Sequence, residues 1–119
     1  MAHGALLRQH SDDPELASHV MQDFSQAGLD PQTKGMLGYA AKLTKNPASM
    51  EKSDVEGLRQ LGLTDEQILS VVLITCNFNF MTRLADGLGM EVDDGRQEAV
   101  ERCLKGPALE QNWLMKAKA

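Results

Sequence analysis

From Ile68 to Met81, apolar side chains fall on nearly every face of a helical pattern, interrupted by Ser70, Thr75, Asn77 and Asn79. A helix that is apolar all round cannot lie on a solvated surface; it belongs in the centre of a bundle or at a subunit interface. A chain of 119 residues leaves a large fraction of its surface exposed as a monomer, so an interface is the stronger expectation. The polar interruptions also argue against a membrane span, and no stretch approaches the ~20 consecutive apolar residues that a span requires.

The remaining composition narrows the class. Hydrophobic residues make up 42% of the chain and charged residues 24%, which suits a folded domain and not a disordered segment. The formal net charge is −5, with Lys and Arg scattered, so neither nucleic acid nor an anionic membrane is an expected partner. The start, Met1 to Ala5, lacks the basic and apolar regions of a secretory signal, and the expected location is cytoplasmic. Cys76 and Cys103 are far apart and lack zinc-type spacing, which in a reducing compartment predicts two buried free thiols and no metal site.

Helix signals recur along the chain, and strand signals are lacking. Asp13-Pro14 and Asp30-Pro31 each place an N-cap carboxylate ahead of a proline at the first helical position. Ser53-x-x-Glu56 and Thr64-x-x-Gln67 read as capping boxes. Gly28, Asn46-Pro47, Gly62 and Gly87 or Gly89 supply the stops. The spacing predicts helices near 14–27, 31–45, 54–61 and 65–87. Residues 3–9 are compatible with the last turns of a helix. Residues 1–92 are expected to form the helical domain; 93–119 form a C-terminal helical tail, packing Trp113, Leu114 and Met115 on the body or on a neighbouring subunit.

On the long helix, Val72, Cys76, Asn79 and Arg83 share a face by three- and four-residue spacing. Two readings of Asn79, Arg83 and Cys76 stand side by side. One is a self-satisfying polar cluster that fixes packing, with the arginine bonded to backbone carbonyls; the other is contact with a substrate.

Residues 29–92 carry a more specific pattern: Tyr39-Ala-x-Lys42-Leu43-Thr44, the Pro47-Ala48 turn, the box at Ser53, Phe78-Asn79-Phe80, Arg83 and Leu88-Gly89. In this order and register the chain resembles the uncharacterised peroxidase-related branch of the AhpD-like superfamily, which also contains the carboxymuconolactone decarboxylases. The resemblance implies an all-α, AhpD-like helical bundle, oligomeric through the long central apolar helix. Where that branch usually has asparagine just before the arginine, Thr82 stands here.

The resemblance also implies a chemistry. Peroxidases of this family are similar in a motif of Glu, three residues, Cys-x-x-Cys, three residues and His. Two thiols one helical turn apart can form a disulfide, while a carboxylate and an imidazole relay the proton. The His3-Gly4-Ala5 sequence matches the end of that motif, which makes His3 the candidate catalytic residue. The motif glutamate and both cysteines would lie upstream of residue 1. A longer protein that contains them and a naturally shortened, redox-dead relative are both consistent with this, the first being the expected one. Cys76, expected to be shielded by apolar neighbours, and Cys103, without a resolving partner, are poor substitutes. His10 and His19 read as surface histidines, and Met21, Met36, Met50, Met81 and Met90 as core fillers.

The implied function is thiol-dependent reduction of hydroperoxides, without a cofactor and with a thiol reductant as partner. The 119 residues by themselves are expected to be inactive. Two alternatives remain: an oligomeric module that binds a protein or small apolar ligand, and a decarboxylase-like enzyme in which Arg83 holds an organic acid.

Overall fold

The computed structural model describes residues 7, 9–13 and 15–91; His3, Cys103 and the tail from 93 onward lie outside the described residues. Among the described residues there are four helices, one 3-10 turn and no strand: α1 (Leu16–Asp23), α2 (Pro31–Lys45), the turn Pro47–Ser49, α3 (Lys52–Gln60) and α4 (Asp65–Gly87). Leu29–Met90 forms one compact unit, and α1 belongs to another.

Local chemistry explains most of these boundaries. Asp30 caps α2: its carboxylate accepts the Thr33 N–H at 2.9 Å and the Thr33 hydroxyl at 2.6 Å, with Pro31 at the first helical position. The helix ends at Asn46, whose N–H reaches the Lys42 carbonyl, ahead of Pro47. Thr64 and Gln67 form the expected capping box, with the Thr64 N–H donating to Gln67 Oε1 at 2.8 Å and the Gln67 N–H donating to Thr64 Oγ1 at 3.3 Å. Gly62 (φ 89°) and Gly89 (φ 64°) adopt left-handed conformations that favour glycine, after α3 and α4 respectively.

Two starts differ from expectation. α3 begins at Lys52, and its cap is Glu51 with Asp54 instead of Ser53 with Glu56. The Asp54 carboxylate accepts the Glu51 N–H at 2.7 Å while also holding Lys42 of α2, a tertiary contact that fixes the frame two residues earlier. α1 begins at Leu16, after the Asp13 carboxylate accepts the nearby Glu15 N–H and closes a turn ahead of the helix, and it ends at Asp23.

Within Leu29–Met90, α2 packs against both α3 and α4. The core is small: Leu58, Leu63 and Ile68 are buried, with Met36, Tyr39, Val55 and Val71 packed around them. α4 presents Ile68, Val71, Val72, Thr75 and Asn79 on its more buried side, while much of its other surface is open. Phe80 is 64% exposed, Ile74 59% and Leu73 59%. Met81 and Met90 are likewise exposed and are not core fillers within this chain.

A second correction concerns the length of the apolar stretch. α4 is 23 residues long, with an 18-residue window of mean hydropathy 1.5, so its length and composition would suffice for a membrane span. Its contacts with α2 and α3 are those of a bundle helix.

Candidate functional site

Two polar arrangements stand out in the bundle. The first joins the end of α2 to the last third of α4. Asn79 Nδ2 donates to Thr44 Oγ1 at 3.1 Å; Arg83 donates from Nη1 to the Asn79 carbonyl at 3.2 Å and from Nη2 to the Thr44 carbonyl at 3.3 Å. The Thr44 carbonyl lies in the last turn of α2, where carbonyls lack intrahelical partners and the helix dipole is negative, so a guanidinium is well placed there. Thr82 bonds back to its own helix, its hydroxyl donating to the Phe78 carbonyl at 2.9 Å.

Cys76 stands apart from these bonds. It is exposed, contrary to the shielding expected from its apolar neighbours, because it lies to the side of the α4 face that packs on the bundle.

The second arrangement is a groove of about 300 Å³ between α2 and α3. Three helical glycines, Gly35, Gly38 and Gly57, remove side chains from its walls. A Cβ at Gly38 or Gly57 would meet nothing within 4 Å, whereas one at Gly35 would fall on Leu61 Cδ1. Lys42 Nζ holds both oxygens of Asp54 at 2.7 and 2.8 Å, and the side chain of Asp54 is only 19% exposed.

The groove's electrostatics follow from these contacts. The hydrogen bond from Lys42, together with the Glu51 N–H, holds the Asp54 carboxyl below the usual carboxylate range. Burial pushes the Tyr39 phenol up, and the negative charge of Asp54 adds to that, so Tyr39 stays a protonated O–H donor at neutral pH. The groove therefore offers the Tyr39 and Ser53 hydroxyls, the latter donating to Glu51 at 3.3 Å, and an ion pair neutralised internally. The three glycines and the Lys42–Asp54 pair escaped the sequence reading; the only local hint was the Gly35-x-x-Gly38 spacing on α2.

The candidate residues are thus distributed unevenly. The structure brings Asn79 and Arg83 together, leaves Cys76 exposed beside them on α4, and does not describe His3. His10 and His19 are exposed. Among the described residues no group of three or more His, Cys, Asp or Glu side chains is placed to hold a metal ion.

Against known proteins, no family model matches the chain, and no curated protein matches it. Solved structures do. An uncharacterized peroxidase-related protein from Silicibacter sp. TM1040 is 36% identical with a TM-score of 0.71, over 79% of this chain and 49% of that one. The alkylhydroperoxidase AhpD core of an uncharacterized peroxidase-related protein from Ralstonia eutropha JMP134 is 34% identical with a TM-score of 0.68, over 79% of this chain and 50% of that one. The chain spans about half the length of these two structures.

Proposed function

The bundle is AhpD-like and of the peroxidase-related branch, and from that premise we propose that these 119 residues form the helical body of a thiol-dependent hydroperoxide reductase. The observation that carries the reading is joint agreement of sequence and fold with peroxidase-related proteins, at 36% and 34% identity over 79% of the chain.

In the proposed reaction, two thiols give up two electrons and two protons, becoming a disulfide, while the hydroperoxide becomes an alcohol and water; a thiol reductant then restores the pair. The given sequence contains Cys76 and Cys103 and no Cys-x-x-Cys, so the reacting pair is not among these residues. The role assigned to them is scaffolding, with His3 supplying the imidazole of the motif. The organic-acid alternative is disfavoured by the use of Arg83, since a bound carboxylate would have to displace donors already given to the Asn79 and Thr44 carbonyls.

The test is hydroperoxide consumption with dithiothreitol as reductant. The 119-residue chain is expected to match the uncatalysed rate, and the Cys76→Ser variant to match the chain. Adding Glu-x-x-x-Cys-x-x-Cys three residues ahead of His3 is expected to confer turnover, which His3→Ala then lowers by about 10²-fold or more. Turnover by the unextended chain that vanishes with Cys76→Ser would overturn the scaffold role, and an extended chain indifferent to His3→Ala would remove His3 from it.

A further inference from the structure

Within Leu29–Met90, α3 is the helix least able to stand on its own. It runs for 9 residues, Lys52–Gln60, below the ~12–15 that an isolated helix needs to persist in water. Gly57 in its middle weakens it further, and Leu58 is its one buried residue, with Val55 half-buried.

Its attachment to α2 is concentrated near its two ends. At the start, Lys42 Nζ reaches both oxygens of Asp54 at 2.7 and 2.8 Å, and the same carboxylate accepts the Glu51 N–H that caps the helix. Past the other end, Gln32 Nε2 donates to the Leu61 carbonyl at 3.0 Å. Between these ties Gly35, Gly38 and Gly57 supply no side chains, and the groove parts the two helices. The chain leaves helical geometry on both sides, with Met50 and Glu51 extended and Gly62 left-handed. The Arg59–Asp65 pair crosses the Gly62 turn at 2.8 Å, but its side chains are 43% and 73% exposed, so it contributes little. α2 and α4, by contrast, hold each other without α3: Asn79 donates to the Thr44 hydroxyl at 3.1 Å and Arg83 to the Thr44 carbonyl at 3.3 Å.

We propose that α3 is a strap that opens as a single unit between Met50 and Gly62 while α2 and α4 remain joined. Both ties break together, and the released segment unfolds because its length and Gly57 do not sustain a helix alone. Opening withdraws Leu58 from its cluster with Leu63 and Ile68 and bares the wall of α2 formed by Gly35 and Gly38. Such sub-global opening is drawn from elements with few buried apolar side chains, which describes α3 and not its neighbours as a pair. The strap does not rest on the hydroperoxide reading, and its failure would leave that reading untouched.

Amide hydrogen exchange of the full 119-residue chain, followed by NMR where reclosing outpaces exchange, tests this. Amides of residues 55–61 are expected to show protection at least about tenfold lower than those of residues 39–43 and 71–75. Lys42→Met and Gln32→Ala should each lower protection in α3 by about three- to fivefold, and equally at Val55 and Leu61, because opening breaks both ties whichever end is watched. Asn79→Ala should lower protection in α4 and leave α3 unchanged, since the Asn79 bond survives in the opened state. Lys42→Met acting on Val55 alone and Gln32→Ala on Leu61 alone would mean two independently fraying ends and would overturn the single unit. Equal protection in the three helices, or an α3 that responds to Asn79→Ala as α4 does, would make α3 part of one cooperative whole and overturn the strap. Protection in α3 indifferent to both Lys42→Met and Gln32→Ala would overturn the ties.

Discussion

Gly35 and Gly38 sit three residues apart on α2, both lining the groove, yet their surroundings give them different constraints. A methyl group at Gly38 meets open space, so Gly38→Ala should gain helix propensity worth about 0.5–1 kcal/mol without a steric cost. At Gly35 the same methyl falls on Leu61 Cδ1; Leu61 is 39% exposed and can turn away, but only by leaving its contact with α2. Gly35→Ala should therefore gain less than Gly38→Ala or lose stability. Urea unfolding of the two variants decides it, and a Gly35→Ala chain as stable as Gly38→Ala would mean that the close approach of Leu61 places no demand on this position. The contrast cannot be read from the sequence, where both residues look like ordinary helix-weakening glycines. It depends on which wall of the groove faces each one.

At the scale of the element, the capping box of α4 carries the most consequence, because the whole apolar helix starts there. Thr64→Ala removes the acceptor for the Gln67 N–H and should cost about 1 kcal/mol. Gln67→Ala removes the reciprocal acceptor for the Thr64 N–H, and the double variant should cost less than the sum, since each bond orders the residues that make the other. Thermal unfolding of the three variants measures this; full additivity would mean that the two halves of the box act independently. Boxes of this kind explain which boundaries were legible. Asp30-Pro31, Thr64-x-x-Gln67, Asn46-Pro47 and Gly62 act through bonds spanning a few residues, and the chain written out already contains both partners. The start of α3 was not legible in this way, because Asp54 reaches back to Glu51 while also bound to Lys42, twelve residues away on another helix. The polar set at the candidate site was half legible: spacing placed Asn79 beside Arg83, but Thr44, which receives bonds from both, lies 35 and 39 residues away. Cys76 was misjudged for a related reason. Apolar neighbours in sequence do not shield a thiol when the helix turns that side away from its bundle.

For the whole molecule, the ionisable contacts predict a stability plateau with defined edges. Asp30, through its bonds from Thr33, and Asp54, through its bond from Lys42, both hold their carboxyls below the ordinary value of about 3.9. The native state thus binds protons more weakly than the unfolded chain does. Stability from these two groups is fully present above the ordinary carboxylate range and is lost as the pH falls through it toward their lower folded values. Tyr39 acts in the opposite sense: burial raises its phenol, so its contribution is intact below the ordinary value of about 10 and is lost as the pH rises past it through the folded value. The chain should therefore melt at a nearly constant temperature between these limits and fall off on each side. Lys42→Met separates the causes, because it removes the main influence that lowers Asp54 while leaving Asp30 untouched. The plateau should lie lower and the loss of stability on the acid side should shrink, because of the two carboxyls Asp30 keeps its full lowering, while the alkaline edge should stay in place, as measured by circular dichroism melts from pH 2.5 to 11. An unchanged plateau and acid-side loss would mean that the Lys42–Asp54 contact is screened by solvent to the point of contributing nothing, as many surface ion pairs do. The bridge between α2 and α3 would then rest on the packing of Met36 and Tyr39 with Val55 and Leu58 and on the Gln32 bond to the Leu61 carbonyl.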